Sequence, residues 1–207
     1  MNKGAQLCAI TSGGELEAIC KETGSNYILI PGGNPPRTCL GYSLTEQVFA
    51  LNKYGLIPSE LIDNLKSASK LLKSEDDNIK LEAKLVSEAL VGKIPVLYST
   101  DKFEPIAIRF RQQLNENSKM LAWHNKFPEM NHNEIVGWSK ENKDLAVLVF
   151  RNKDDFYRTQ ARIDFTVGLI SKYTSSVTQI NSKGNSYIER ALYFIYLTDW
   201  VSLYLAE

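Results

Sequence analysis

Lys93-Ile-Pro-Val-Leu-Tyr98 decides the fold class. It is a short apolar run, and Phe103, Ile106, Ala107, Phe110 and Leu114 follow it on one face of a helix. The alternation continues to the end of the chain. Strand-like runs fall at 94–98, 119–123, 145–150 and 176–180, with helical patterns at about 103–116, 131–139, 154–173 and 185–206. Strands alternating with helices predict a parallel sheet covered on both faces, a three-layer α/β fold. Ligands of open α/β sheets sit beyond the carboxyl ends of the strands. Attention therefore goes to the loops after Tyr98, Trp123 and Phe150.

Upstream lies a smaller unit of the same kind. Leu7-Cys-Ala-Ile10 reads as a strand, Glu15 to Cys20 as a helix closed by Gly24, and Tyr27-Ile-Leu-Ile30 as a second strand stopped by Pro31-Gly-Gly-Asn-Pro-Pro36. Its first strand begins almost at residue 1, and parallel strands need neighbours. The first part of a domain is expected to be missing or supplied by a partner chain. Residues 40–90 are helical in pattern, with Thr45 as a possible cap, a second start at Pro58-Ser-Glu and a third helix from about Asn78 to Leu90. The expected organisation is the tail of one domain over 1–39, a helical linker over 40–92 and a complete domain over 93–207.

Composition narrows the function. The 207 residues carry 24 Lys+Arg and 24 Asp+Glu, so no excess positive charge is available to neutralise nucleic-acid phosphates. At 43% hydrophobic and 23% charged residues, the chain has the composition of a globular protein. Its most apolar stretch, Ala191 to Ala206, is shorter than the ~20 residues a membrane span needs and contains Asp199. The N-terminus lacks the apolar core of a signal peptide. A cytoplasmic address follows, and Cys8, Cys20 and Cys39 read as free thiols.

Three segments carry candidate chemistry. In Thr11-Ser-Gly-Gly14, the amides around Ser12 and Gly13 could hold an anion at a helix start, or simply form a tight turn. Pro31-Gly-Gly-Asn-Pro-Pro-Arg37 holds Arg37 on a stiff loop, where a guanidinium suits a phosphate or an enediolate oxygen, or lies on a surface. Pro128-Glu-Met-Asn-His-Asn-Glu134 is the densest polar cluster. Glu129, His132 and Glu134 crowd titratable groups as a proton-transfer site would. The same residues have a structural use, with Asn131 capping a helix that places Glu134 at its third position. Two further acidic features have plainer readings. Asp154 and Asp155 are expected in the first turn of a helix, facing its dipole. Asp199 is expected to form a buried hydrogen bond to backbone or Trp.

Taken in order, these segments resemble the bifunctional phosphoglucose/phosphomannose isomerases, which are built from two SIS (sugar isomerase) domains. The stretches that carry the resemblance are Thr11-Ser-Gly-Gly, Pro35-Pro-Arg37, Leu40-Gly-Tyr42, Ile94 to Ser99, Ala107 to Lys119, Pro128 to Trp138, Ser182-Lys-Gly184 and Asp199 to Ala206. The resemblance implies a flavodoxin-like αβα SIS domain. It also implies interconversion of glucose 6-phosphate or mannose 6-phosphate with fructose 6-phosphate without metal or cofactor. Glu134 corresponds to the base that moves a proton between C1 and C2, and Arg37 to the cation facing the enediolate. His132 joins them as a candidate catalytic residue, and Ser12, Gly13, Asn131 and Asn133 as candidate substrate contacts. A homodimer with sites near the subunit interface is implied, with neither nucleic acid nor membrane as partner. SIS domains also act as non-catalytic sugar-phosphate sensors, but a pure binding module has no use for a carboxylate beside the reactive carbons.

The chain departs from the family in three places. The family's phosphate-gripping Ser-x-Ser-Gly-x-Thr segment is absent. The ring-opening histidine that follows the glutamate has no counterpart, since His124 and His132 both precede Glu134. The family's final helix carries a lysine, whereas the last lysine here is Lys183. Losing the phosphate grip removes binding energy that positions the substrate. These departures predict that the 207-residue chain by itself forms no measurable fructose 6-phosphate in a coupled assay. Robust turnover would show them to be immaterial.

Overall fold

Two parallel sheets form, one in each of two units of the chain. The computed structural model describes residues 5–207, and the units are Met1–Lys66 and Ser67–Glu207. In the first, β1 (Cys8–Thr11), α1 (Gly14–Thr23) and β2 (Asn26–Leu29) make the expected β-α-β element, with Ala9 opposite Tyr27. Gly24 closes α1 in a left-handed conformation at φ 63° and donates to the carbonyls of Cys20 and Lys21. A 3-10 turn at Pro36–Thr38 leads into α2 (Leu40–Lys53). Thr45 is therefore interior to α2 rather than its cap. The prolines preset the backbone for the turn, and the Ser43 amide already bonds Cys39 O at 3.1 Å. The helix α3 (Glu60–Ser74) spans the division between the units.

In the second unit, α4 (Asp76–Leu90) precedes β3 (Ile94–Thr100), α5 (Glu104–Glu116), β4 (Trp123–Phe127), β5 (Leu145–Arg151), α6 (Tyr157–Ile170), β6 (Val177–Asn181) and α7 (Tyr187–Tyr204). The strands lie in the order β4-β3-β5-β6, all parallel. The chain leaves β3 toward β4 on one side, and leaves β5 toward β6 on the other. The topological switch point thus falls between β3 and β5.

Both faces of this sheet are covered. Leu97, Ala146, Leu148, Phe150 and Ile180 face buried residues of α4, α5 and α7, such as Ile79, Phe110 and Phe194. Val96, Tyr98, Val147 and Val149 face Ile163 and Ile170 of α6 together with Met130 and Trp138 of the segment after β4. The continuous apolar run of β5 is what burial on both faces requires. Asp199 of α7 accepts from Arg109 Nη2 at 2.7 Å and Gln113 Nε2 at 3.0 Å, tying α7 to α5. Its partners are therefore charged and amide side chains of the neighbouring helix, not backbone or Trp.

Three element expectations are corrected. The strand predicted at 119–123 starts at Trp123, because residues 117–120 are used to end α5. There Lys119 takes φ 57°, and the Met120 amide bonds Leu114 O at 3.1 Å. The helix predicted over 131–139 is two 3-10 turns, Glu129–Asn131 and Glu134–Gly137. Asn131 does not cap, since its amide donates to Thr166 Oγ1 at 2.7 Å on α6. Asp154 and Asp155 precede α6 instead of forming its first turn. Asp154 pairs with Arg190 at 2.6 Å, and Asp155 is buried.

α7 begins with a capping box in which Ser186 Oγ accepts from the Glu189 amide and Glu189 Oε2 accepts from the Ser186 amide. The tight return requires Gly184, which sits at φ 116°. A Cβ there would lie 2.5 Å from Glu189 Cβ and 3.3 Å from Leu71 Cδ2. Gly184→Ala should cost about 2 kcal/mol or more through strain and clash. That corresponds to a melting temperature roughly 4–8 °C lower by calorimetry.

Candidate functional site

β3 and β4 build the floor of the site. In their ladder Val96 opposes Trp123, Tyr98 opposes Asn125 and Thr100 opposes Phe127. Alternate residues of a strand share a face, so Trp123, Asn125 and Tyr98 project together from one side of the sheet. The segment 128–138 folds over that side. Met130 and Trp138, both buried, anchor its two ends in the apolar layer.

Glu134 lies between these anchors and turns its carboxylate onto the floor. Oε1 accepts from the Tyr98 hydroxyl at 2.5 Å and from Trp123 Nε1 at 3.0 Å, and Oε2 accepts from Asn125 Nδ2 at 2.6 Å. Two of the three donors are themselves oriented. Trp138 Nε1 donates to the Tyr98 oxygen at 3.1 Å. The Lys126 amide donates to Asn125 Oδ1 at 2.8 Å, which turns the Asn125 nitrogen toward Glu134. Hydrogen bonds to a charged group contribute about 1.5–3 kcal/mol each, so the carboxylate is held in one pose. A carboxylate offers about four acceptor positions. Three of them are filled among the described residues.

Tyr98 is fully buried, and its pKa lies well above the ordinary tyrosine range. Burial is the larger cause and the adjacent Glu134 carboxylate the second. Its protonated hydroxyl is the form that donates to Glu134. His124, on the strand face opposite Asn125, stands 4.0 Å from Glu104. Its pKa is lowered by burial and then by Arg111, with Glu104 acting in the opposite sense.

The other residues singled out by sequence lie as follows. Asn133 accepts from Asn125 Nδ2 at 3.4 Å and donates to Glu129 at 2.7 Å, so it borders the carboxylate. Asn131 is directed at α6, and His132 is exposed and is not among Glu134's three donors. Ser12, Gly13 and Arg37 belong to the first unit. There the Thr11 hydroxyl and the Gly13 amide bond each other's segment, and a Cβ on Gly32 would lie 3.5 Å from Ser12 O. The two loops at the carboxyl ends of β1 and β2 are thus packed together. Arg37 is half-buried in the 3-10 turn after them. Sequence reasoning missed Tyr98, Trp123 and Asn125. Period-two alternation from Trp123 would have found two of them, had the strand been placed there.

Residues 79–207 match the family described as the bacterial phospho-glucose isomerase C-terminal SIS domain. The chain belongs to this family. A bifunctional phosphoglucose/phosphomannose isomerase of Aquifex aeolicus is 37% identical over 210 residues, covering all of this chain and 63% of that protein. One of Caldicellulosiruptor bescii is 38% identical over 215 residues, covering 99% of this chain and 63% of that protein. The chain therefore spans a little under two thirds of these curated relatives. The crystal structure of a glucose-6-phosphate isomerase like protein from Thermus thermophilus shares the fold with a TM-score of 0.65 at 15% identity, covering 96% of this chain and 71% of that one. No helix among the described residues is long and apolar enough to cross a membrane.

The raised pKa of Tyr98 makes stability depend on alkaline pH. Unfolded Tyr98 loses its proton near its ordinary value of 10.0, whereas folded Tyr98 keeps it. Above that value the unfolded state binds fewer protons, so stability falls as pH rises by about 1.4 kcal/mol per unit for one such group. Urea unfolding at about pH 9 and about pH 11 should show this loss, reduced in Tyr98→Phe by the share of one group. Equal slopes in both proteins would remove the coupling.

Proposed function

We propose that the protein carrying this chain is an aldose–ketose isomerase that interconverts glucose 6-phosphate or mannose 6-phosphate with fructose 6-phosphate. Glu134 acts as the base, and Arg37 faces the developing oxyanion. In the forward direction the Glu134 carboxylate takes the C2 proton. The C–H electron pair forms the C1–C2 double bond, and the carbonyl pair moves to O1, giving an enediolate. A proton passes from O2 to O1, the O2 electron pair forms the C2 carbonyl, and the C1–C2 π pair takes the proton back from Glu134 at C1. A fixed cation near the oxyanion lowers the barrier to this proton loss. His132, Ser12, Gly13, Asn131 and Asn133 complete the proposed site.

The observation that carries the reading is the single pose of Glu134, held by three donors, two of them oriented by further hydrogen bonds. The relatives named phosphoglucose/phosphomannose isomerases support the substrate class. Residues 1–39 are proposed as the tail of an N-terminal SIS domain, 40–92 as a helical linker and 93–207 as the C-terminal SIS domain. A cytoplasmic homodimer fits the balanced charge and the free thiols.

The test is Glu134→Gln in a chain that includes an N-terminal SIS half. Proton transfer by a positioned group contributes roughly 10²–10⁴-fold, so kcat should fall by that order while KM changes little. Exchange of the C2 proton with deuterated water should fall in parallel. Unchanged turnover would reject Glu134 as the base.

A further inference from the structure

The donors of Glu134 are shared unevenly between its two oxygens. Oε1 accepts from the Tyr98 hydroxyl and from Trp123 Nε1, whereas Oε2 accepts from Asn125 Nδ2. A carboxylate oxygen has two lone pairs, so these two donors engage both lone pairs of Oε1. An indole nitrogen donates only and cannot turn round. A proton delivered to Oε1 would therefore meet the Trp123 N–H head-on.

Tyr98 differs, because a hydroxyl both donates and accepts and its proton can rotate. Left alone, it could turn that proton away and accept from a protonated Oε1. Trp138 closes this route. Its Nε1 donates to the Tyr98 oxygen at 3.1 Å, so a proton turned to that side would face another N–H. The Tyr98 proton is thereby directed at Oε1, 2.5 Å away. Trp138 is 6% exposed and Tyr98 is fully buried, and both lie in one apolar layer with Phe127 and Met130. Neighbouring side chains, rather than solvent, set the direction of this hydroxyl.

We propose that Trp138 is a positioning residue of the isomerisation: acting through Tyr98, it keeps Oε1 engaged and makes Oε2 the atom that takes the C2 proton. The proposal rests on the reading of Glu134 as the base. The C2–H bond breaks, its electron pair stays with the enediolate, and an Oε2–H bond forms. The return of the proton to C1 restores the carboxylate. Asn125 Nδ2, 2.6 Å from Oε2 and turned toward it by the Lys126 amide, fixes the direction in which this oxygen is presented. Trp138 bonds Tyr98 rather than Glu134, so its effect on the base is indirect.

The first test uses the indole N–H resonances of the 207-residue chain, which contains three tryptophans. Trp138→Phe keeps an aromatic ring in the core and removes the N–H. The Trp123 resonance should then move, because its acceptor Oε1 no longer faces a fixed Tyr98 proton. That of Trp200, on α7, should stay. The second test is kinetic, in the chain that includes an N-terminal SIS half. Trp138→Phe and Tyr98→Phe should each lower kcat roughly 10-fold to 10²-fold, with KM changed less than about twofold. The double variant should be no slower than Tyr98→Phe alone, since both act on one hydrogen-bonded unit. A merely structural tryptophan would lower kcat by the same factor with or without the Tyr98 hydroxyl. That result, an unmoved Trp123 resonance or unchanged kcat in Trp138→Phe would each overturn the proposal. Where Trp138→Phe does not fold, unchanged kcat in Tyr98→Phe overturns it and a loss of the expected size supports it. Glu134→Gln separates the two readings. Turnover that survives there rejects the base itself, whereas turnover lost there and kept in Trp138→Phe rejects only the role of Trp138.

Discussion

Tyr98 and Asn125 stand opposite each other in the β3–β4 ladder, and the carboxylate of Glu134 lies across both. The position of Glu134 is therefore set by the register of a buried parallel pair rather than by the loop that carries it. A slip of β4 by one residue would send Trp123 and Asn125 to the opposite face and leave Glu134 without two of its donors. The register is secured by the apolar residues of the same strands, Val96 and Leu97 on opposite faces and Phe127 at the end. Core packing and site geometry are thus one constraint. Trp138 states it locally, being buried among Tyr98's apolar neighbours while its indole N–H holds the Tyr98 oxygen.

The layer architecture was legible because it depends on periodicity. Ile79, Ala83, Val86 and Leu90 recur at steps of three and four, and all four are buried. The run from Leu145 to Phe150 reads as a strand because burial on both faces removes any need for polar alternation. The errors share a cause as well. At 119–123 the chain closes a helix through Lys119 in the left-handed region, a conformation that apolar patterning does not encode. At 131–139 the pattern fits a helix, yet Asn131 and Glu134 each find a better partner across space, on α6 and on the sheet floor. Tertiary hydrogen bonds overrode a local capping option that was real but weaker.

Acidic side chains show the same limit. Asp199 looked anomalous within an apolar helix, and it pins α7 to Arg109 and Gln113 of α5. Asp154 and Asp155 looked alike as neighbours before a helix, yet the structure separates them. One is half exposed and pairs with the buried Arg190, and the other is buried against Thr100 and Asn152. Neighbours in a loop can face opposite surroundings, and only the fold decides which is which. The candidate residue Glu134 could be singled out as one of a polar cluster. Its donors were not, because Tyr98 comes from a segment that reads only as strand, and Trp123 and Asn125 belong to a strand that the apolar pattern placed four residues too early.

The central strand β3 links these observations. Tyr98 and Thr100 are two residues apart and so share a face. Tyr98 donates to Glu134, which arrives after β4, and Thr100 donates to Asp155, which arrives after β5. One strand therefore serves two carboxylates delivered from its two flanks, which follows from its place beside the switch point of the sheet. The two acids end in different states of satisfaction. Among the described residues, Glu134 has three donors shared over both oxygens, whereas Asp155 has two on one oxygen and none on the other. A carboxylate with both oxygens engaged is held for a reaction that needs a fixed direction of approach.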